Sequence, residues 1–157
     1  MLSSILNPTD GQPEHDGLDD SPLVYDLMGI KFAVPSTYTN LRPIGFGRYG
    51  SVCSADRHGT NGAVTKVALK RIASPFSNAE LAKRSYRELA ILKRLSHPNV
   101  LCLVDAFVSN SGAGSEDLYL GMRLVEDELR GWMRRQASNQ LPVLPMPVVR
   151  RIMHQLL

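Results

Sequence analysis

The hydrophobic residues of this chain fall into short runs that are separated by turn residues such as glycine, proline and asparagine. Runs of this length, with loose alternation of apolar and polar positions, are typical of strands. They predict five strands, near residues 38–45, 50–57, 65–72, 101–109 and 117–122. Helical spacing of apolar residues predicts helices near 78–95, 126–136 and 146–157. We therefore predict an α+β fold, in which a five-stranded antiparallel sheet with one helix is followed by the start of a helical region.

The helix near 78–95 carries its own start and stop signals. Ser77 followed by Glu80 matches a capping box, and Pro98 in the sequence SHPN prevents the helix from continuing. Glu88 shares a face with three leucines, Leu81, Leu92 and Leu95. A carboxylate within an apolar stripe costs several kcal/mol unless a cation meets it. Glu88 therefore either has a basic partner or lies at the solvated edge of the stripe.

The overall composition is that of an ordinary globular protein. The chain has 157 residues, of which 43% are hydrophobic and 21% are charged. No run of about 18 apolar residues is present to cross a membrane, and the start MLSSIL lacks the features of a signal peptide. Two separated cysteines, Cys53 and Cys102, are expected to be reduced, which suits a cytoplasmic or nuclear protein. The four histidines show no metal-ligand spacing, so we predict no metal site.

Charge is distributed unevenly along the chain. Residues 1–30 contain six acidic residues and no Lys or Arg, whereas all 18 basic residues come later. With three prolines and three glycines as well, residues 1–30 are predicted to be a disordered acidic tail. The basic remainder could attract phosphate groups, although a solvated basic surface explains it equally well. No aromatic strand pair or recognition-helix pattern accompanies it, so we predict no nucleic-acid binding.

The sequence GFGRYGSV, residues 45–52, contains the spacing Gly-x-Gly-x-x-Gly, which brings backbone amides close to a phosphate in several kinds of site. A Walker A loop is excluded, because no Gly-Lys-Ser/Thr ends the motif. A dinucleotide-binding loop requires a helix after the last glycine. Here SVCSADR follows, which reads as a strand and places the glycines in a hairpin. A glycine-rich flap over a nucleotide has this form, as does a plain flexible turn.

The next strand supplies a candidate partner for Glu88. It reads TKVALKRI and contains Lys70 among apolar residues. A lysine in such a strand either points to solvent or meets an acid. With the glycine hairpin before it and Glu88 after it, we predict an ion pair between Lys70 and Glu88.

Taken together, these motifs resemble the small lobe of a eukaryotic protein kinase, and more narrowly a MAP kinase of the stress-activated, osmosensing branch. The resemblance runs from about residue 32 to the end of the chain. The segments that carry it are VPSTYTNLRPIGFGRYGSVCSA, VALKRIASPF, AKRSYRELAILKRLSHPNVLCLVDAF and DLYLGMRLVEDELRGWM. It implies a kinase N-terminal lobe over residues 31–125, and the start of a truncated C-terminal lobe over 126–157.

The resemblance also implies an ATP site. Ile44, Val52 and Ala68 would cover the adenine, and Lys70, held by Glu88, would contact the α- and β-phosphates. Met122 falls at the gatekeeper position, the backbone of the residues after it would bond the adenine edge, and an acidic residue beyond would lie near the ribose. The implied ATP-binding residues are Ile44, Gly45, Phe46, Gly47, Arg48, Tyr49, Gly50, Ser51, Val52, Ala68, Lys70, Met122, Arg123, Leu124, Val125 and Glu128.

The motifs that complete phosphoryl transfer in this family are not in the sequence. No His-Arg-Asp loop occurs, and Asp105-Ala106-Phe107 lies in a predicted strand and does not match Asp-Phe-Gly. The resemblance therefore implies Mg²⁺, protein substrates and an upstream kinase for the full-length family, with the Mg²⁺ ligands absent here. We expect weak ATP binding and no catalysis by this chain alone. The alternative is a non-catalytic, kinase-derived interaction or regulatory module with unpaired apolar surface.

Overall fold

A computed structural model describes residues 22–47, 50–110, 114, 116–125, 131, 133–134, 138 and 145–156. The strands and helices that can be bounded within these residues are, in chain order, β1 (Leu23–Leu27), β2 (Ile30–Val34), β3 (Tyr38–Gly47), β4 (Gly50–His58), β5 (Val64–Ile72), α1 (Ala79–Arg94), β6 (Leu103–Asn110), β7 (Glu116–Arg123) and α2 (Met146–Leu156). The helix predicted near 126–136 lies mostly outside the described residues. No helix among them is long and apolar enough to cross a membrane.

Five of the strands form one antiparallel sheet, in the order β3-β4-β5-β7-β6. These are the five strands that the apolar runs predict, with bounds that differ by at most two residues. The sheet and α1 confirm the predicted α+β fold. The strand β6 contains Asp105, which agrees with its assignment to a strand from the sequence.

The N-terminal hairpin, β1 and β2, overturns part of a prediction. Residues 1–30 are predicted to be a disordered tail, yet β1 and the start of β2 lie within them and pair in antiparallel register. The turn between the strands uses Met28 and Gly29, both with positive φ. Tyr25 and Leu27 are buried, because alternate residues of β1 face the rest of the protein. The folded unit therefore begins by Leu23 and not near residue 31, and residues 1–21 lie outside the described part.

The main hydrophobic core lies between this hairpin and one face of the large sheet. Its buried members are Tyr25, Leu27, Phe32, Val34, Tyr38, Leu41, Cys53, Ala55, Val67, Leu69 and Tyr119. The Tyr119 ring stacks on Phe107, with centroids 4.9 Å apart and planes at 6°. It also meets Phe32 of the hairpin at 6.2 Å. Aromatic packing thus joins β2, β6 and β7 into one core.

The helix α1 is on the sheet face that carries Lys70, and it is held by few buried contacts. Ser85 is its single buried residue, while Leu81 and Leu95, predicted to share an apolar face, are each 38% exposed. The predicted capping box is wrong. The N-cap is Asn78, whose side-chain Oδ1 accepts a hydrogen bond of 2.9 Å from the Leu81 amide. Asn78 competes with Ser77 as a cap because both residue types accept such a bond.

Candidate functional site

The glycine motif forms the tip of the hairpin between β3 and β4. Gly47 is paired with Gly50, Phe46 with Ser51 and Gly45 with Val52. Two residues separate the paired glycines, which is the connection length of a tight hairpin. Arg48 and Tyr49, two predicted site residues, lie outside the described residues.

Gly50 has a conformation and a neighbour that only glycine accommodates. Its φ is +138°, a backbone region that L side chains rarely adopt. A Cβ at this position would lie 2.5 Å from the carbonyl oxygen of Arg71. The absence of a side chain at Gly50 therefore allows the hairpin to pack directly against the backbone of β5.

One face of the sheet gathers four of the predicted site residues. In the antiparallel register, Val52 and Leu120 lie on either side of Lys70, and Met122 lies beside Ala68. Residues opposite one another in adjacent strands project to the same face, as do residues two apart in one strand. Val52, Ala68, Lys70 and Met122 therefore share a face. The hydrophobic core and the N-terminal hairpin, β1 and β2, occupy the other face.

Other predicted site residues lie near or beyond the ends of β3 and β7. Ile44 sits at a register shift in β3 and is 55% exposed, and Phe46 is 43% exposed. Arg123 pairs with Val67 and so projects away from the face that holds Met122. Beyond the strand, the Leu124 amide is 3.5 Å from the Lys66 carbonyl oxygen, and Val125 is 54% exposed. Glu128, the predicted ribose contact, lies outside the described residues.

Lys70 and Glu88 are in direct contact. Lys70 Nζ of β5 lies 2.5 Å from Glu88 Oε1 of α1, and the two side chains are 20% and 32% exposed. The pair is thus half-buried, between the glycine hairpin and the helix. The pair also links α1 to the sheet, because Glu88 is on the helix and Lys70 is on β5. This link matters for α1, whose single buried residue is Ser85.

A cleft of about 310 Å³ lies between the glycine hairpin, the end of β5 and α1. Its lining includes Gly47, Gly50, Ser51, Leu81, Ser85 and Glu88. The cleft runs beside the ion pair, so a charged group held over the hairpin tip would come close to Lys70. No group of three or more His, Cys, Asp or Glu side chains within the described ranges could hold a metal ion.

A second ion pair, on the opposite face, was not predicted from the sequence. Arg71 Nη2 and Nε lie 2.7 and 2.8 Å from Asp117 Oδ2, and Asp117 is 1% exposed. The other carboxylate oxygen, Oδ1, accepts a hydrogen bond of 3.0 Å from the Ser74 amide. In the sequence, the pair is visible only as a basic and an acidic residue, 46 positions apart, in two predicted strands. No pattern within either strand indicates that the two strands are adjacent.

The core beneath the site also holds ionisable groups with perturbed pKa values. Burial raises the pKa of the Cys53 thiol from 9.0 to about 12, and that of Tyr119 to about 12. Burial, and then a hydrogen bond to Asp105, raise the pKa of Tyr38 above its ordinary value. The Tyr38 hydroxyl donates this bond to Asp105 Oδ2 at 2.5 Å. These groups therefore stay protonated at neutral pH and act as packing and hydrogen-bonding groups.

Comparison with known proteins gives a family for this arrangement. The protein kinase domain family matches residues 38–157, which includes the glycine hairpin, Lys70 and Glu88. The match begins at the first residue of β3, so the N-terminal hairpin lies before it.

Curated relatives are MAP kinases. The chain is 42% identical over 115 residues to mitogen-activated protein kinase p38b of Drosophila melanogaster, covering 71% of this chain and 31% of that protein. It is 44% identical over 103 residues to HOG1 of Hortaea werneckii, covering 66% and 27%. It is 42% identical over 104 residues to mpkC of Aspergillus clavatus, covering 66% and 26%. The chain thus spans less than a third of the length of each of these relatives.

Proposed function

Since this chain belongs to the protein kinase family and resembles the N-terminal part of MAP kinases, we propose that it binds ATP on the sheet face that carries Lys70. The activity to which this binding contributes is transfer of the ATP γ-phosphoryl group to serine or threonine of proteins, within a stress-responsive MAP kinase. The observation that carries the proposal is the contact between Lys70 and Glu88 beside the glycine hairpin.

Each part of the site has a proposed role that follows from its position. The adenine lies against Val52 and Ala68, which are neighbours on the sheet face and present apolar surface. Met122, on the same face, borders the adenine. The backbone after it, in residues 123–125, supplies polar groups for the adenine edge. Ile44 closes the adenine side from β3.

The phosphate end of the proposed site combines the hairpin tip and the ion pair. Glycines 45, 47 and 50 allow backbone amides to approach the phosphates without a side chain between them. Lys70 supplies a positive charge for the α- and β-phosphates, and Glu88 holds the flexible lysine side chain in one position. Without Glu88, the ammonium group would sample many rotamers and bind phosphate less well.

The Mg²⁺ that accompanies ATP in this family finds no set of ligands among the described residues. We therefore assign Mg²⁺ no protein ligand here, and propose that it reaches the site only as Mg-ATP. Phosphoryl transfer also needs a carboxylate to orient the substrate hydroxyl. Because no His-Arg-Asp loop occurs in the sequence, we propose that these residues bind nucleotide without catalysing transfer by themselves. Protein substrates, an upstream kinase and a cytoplasmic or nuclear location follow from the same family membership, as proposals.

The proposal is tested by thermal unfolding with and without millimolar Mg-ATP. Binding to the native state raises the melting temperature by mass action. Lys70→Met should remove a charge-assisted contact and reduce affinity about tenfold or more. Lys66→Met, an exposed lysine of the same strand, is the control and should retain the shift. Equal binding by Lys70→Met and the wild-type chain would contradict the role of Lys70. No shift with a cooperative melt would favour the interaction module instead.

A further inference from the structure

The Arg71–Asp117 pair stands at a junction of three parts of the candidate site. Asp117 is almost fully buried, and the Arg71 side chain is 16% exposed. A buried carboxylate needs both a counter-charge and hydrogen bonds. Two nitrogens of Arg71 meet one oxygen of Asp117, so the guanidinium is held in one orientation.

The second oxygen of Asp117 holds the connection between β5 and α1. It accepts the Ser74 amide, two residues after β5 ends and five before α1 begins. Ser74 has a φ of +43°, a left-handed conformation that a serine seldom adopts unless its surroundings impose it. The Ser74 carbonyl then accepts the Ser77 amide at 3.0 Å, closing a turn that leads to the N-cap of α1. Asp117 therefore fixes the path of the chain into α1.

The glycine hairpin meets the same junction from the other side. Gly50 packs against the Arg71 carbonyl oxygen, where a Cβ would lie at 2.5 Å. Arg71 is also the neighbour of Lys70 in β5, so the two side chains project to opposite faces of the sheet. Restraining Arg71 thus restrains the strand that carries Lys70 and the surface on which the hairpin rests.

The position of Glu88 depends on this junction because α1 buries little else. Glu88 lies nine residues after the helix start, about 14 Å along the helix axis. A tilt of about 5° at the start would move Glu88 by roughly 1 Å, which is enough to break a contact with Lys70.

We propose that Asp117 is a positioning residue: by holding Arg71 and the Ser74 amide together, it sets α1 so that Glu88 reaches Lys70. The purpose of that contact, to hold ATP, rests on the proposed function above. The contact itself does not, and it can be measured without nucleotide.

The test is the rate at which an amine-reactive acetylating reagent modifies Lys70 in the folded full chain, read by mass spectrometry. Glu88 covers one side of the Lys70 ammonium group, so releasing it should speed acetylation. We expect Asp117→Asn to raise the Lys70 rate about threefold or more, with Lys66 and Lys83 unchanged as internal standards. Glu88→Gln marks the rate of the fully released lysine.

Two comparisons separate positioning from general destabilisation. Val34→Ala removes buried volume in the N-terminal hairpin and should leave the Lys70 rate at the wild-type value. In the Glu88→Gln background, Asp117→Asn should add no further increase, because it acts through Glu88. A Lys70 acetylation rate in Asp117→Asn equal to that of the wild-type chain would overturn the proposal, as would an equal increase in both backgrounds.

If Asp117→Asn fails to fold, Arg71→Lys is the substitute variant, measured in the same way. It keeps the positive charge but loses the contact of two nitrogens with Asp117, so we expect a smaller increase in the Lys70 acetylation rate.

Mg-ATP titration of the same variants distinguishes the two proposals. One outcome is that the wild-type chain binds no ATP, while Asp117→Asn still speeds the acetylation of Lys70. That outcome would support positioning and contradict the proposed function. ATP binding by the wild-type chain with an unchanged Lys70 rate in the variant would do the reverse. If both proposals hold, Asp117→Asn weakens ATP binding and Val34→Ala does not.

Discussion

The Ala33 amide donates a hydrogen bond of 2.9 Å to the Tyr119 hydroxyl oxygen, 86 residues away in the sequence. Both residues are fully buried. The bond connects the N-terminal hairpin to the middle of the large sheet, at a point where the Tyr119 ring also stacks on Phe107. This bond and the ring packing join the N-terminal hairpin to the sheet, although the family match begins only at the first residue of β3.

Replacing Tyr119 with phenylalanine should reduce the free energy of unfolding by about 1–3 kcal/mol. The ring and its packing remain, but the Ala33 amide is left buried without its acceptor. Urea unfolding measures the change. Tyr86→Phe is the matched control, because Tyr86 is 73% exposed and the same atom is removed there. A loss no larger than that of the control would show that the hydroxyl contributes nothing to holding the hairpin.

Replacing Gly50 with alanine should reduce the free energy of unfolding by about 2–4 kcal/mol. The added Cβ would overlap the Arg71 carbonyl oxygen, and the φ of +138° is strained for any L side chain. Gly45→Ala is the control, since a Cβ at Gly45 meets nothing within 4 Å. We expect its cost to be about 1 kcal/mol or less. Similar melting temperatures for the two variants would contradict the close approach at Gly50.

Replacing Asn78 with alanine should reduce the free energy of unfolding by about 1 kcal/mol, because the Leu81 amide loses its acceptor at the start of α1. The neighbouring variant Ser77→Ala should change it by less than about 0.5 kcal/mol. Urea unfolding monitored by circular dichroism compares the two. A larger effect at Ser77 than at Asn78 would restore the capping box predicted from the sequence.

The free energy of unfolding should fall as the pH rises from about 9 to about 12. Burial raises the pKa of Cys53 from 9.0 to about 12 in the folded protein. Above the unfolded pKa, the unfolded chain loses the proton while the folded chain keeps it, so rising pH favours unfolding. This contribution is fully present below pH 9 and is lost as pH passes the folded value.

The control for this pH dependence is Cys53→Ala, which removes the thiol from the core. Its free energy of unfolding should fall less steeply with pH than that of the wild-type chain. Urea titrations at several pH values between 8 and about 11.5 give both slopes. Parallel slopes for the two proteins would mean that the Cys53 proton does not contribute.

The large sheet was predictable because its signals are local. Each strand shows its own apolar run, and the glycines between two runs indicate a hairpin. Predicting the contact between Lys70 and Glu88 needed two such local patterns, a lysine within an apolar strand and a glutamate within the apolar stripe of a helix. Neither pattern depends on which strands become neighbours in the sheet.

The N-terminal hairpin was missed because composition was averaged over too long a segment. Acidic residues, prolines and glycines are frequent in residues 1–21, and they concealed the short apolar runs in LVYDL and IKFAV on either side of a Met-Gly turn. The Arg71–Asp117 pair was missed for a different reason. It depends on β5 and β7 being adjacent in the sheet, which no pattern within either strand specifies. The cap at Asn78 was missed because two capping residues stand side by side.

The link between Ala33 and Tyr119 has a consequence for the order in which the chain acquires its structure. Proteins are synthesised at about 5–20 residues per second, so roughly 4–17 seconds pass between the synthesis of β2 and that of Tyr119. During this interval the inward face of the hairpin, with Tyr25, Leu27, Phe32 and Val34, lacks the strand that later completes its cover. The nascent chain therefore exposes an apolar, partly aromatic surface that can associate with other chains. This surface is covered once β7, which carries Tyr119, has been synthesised and has joined the sheet.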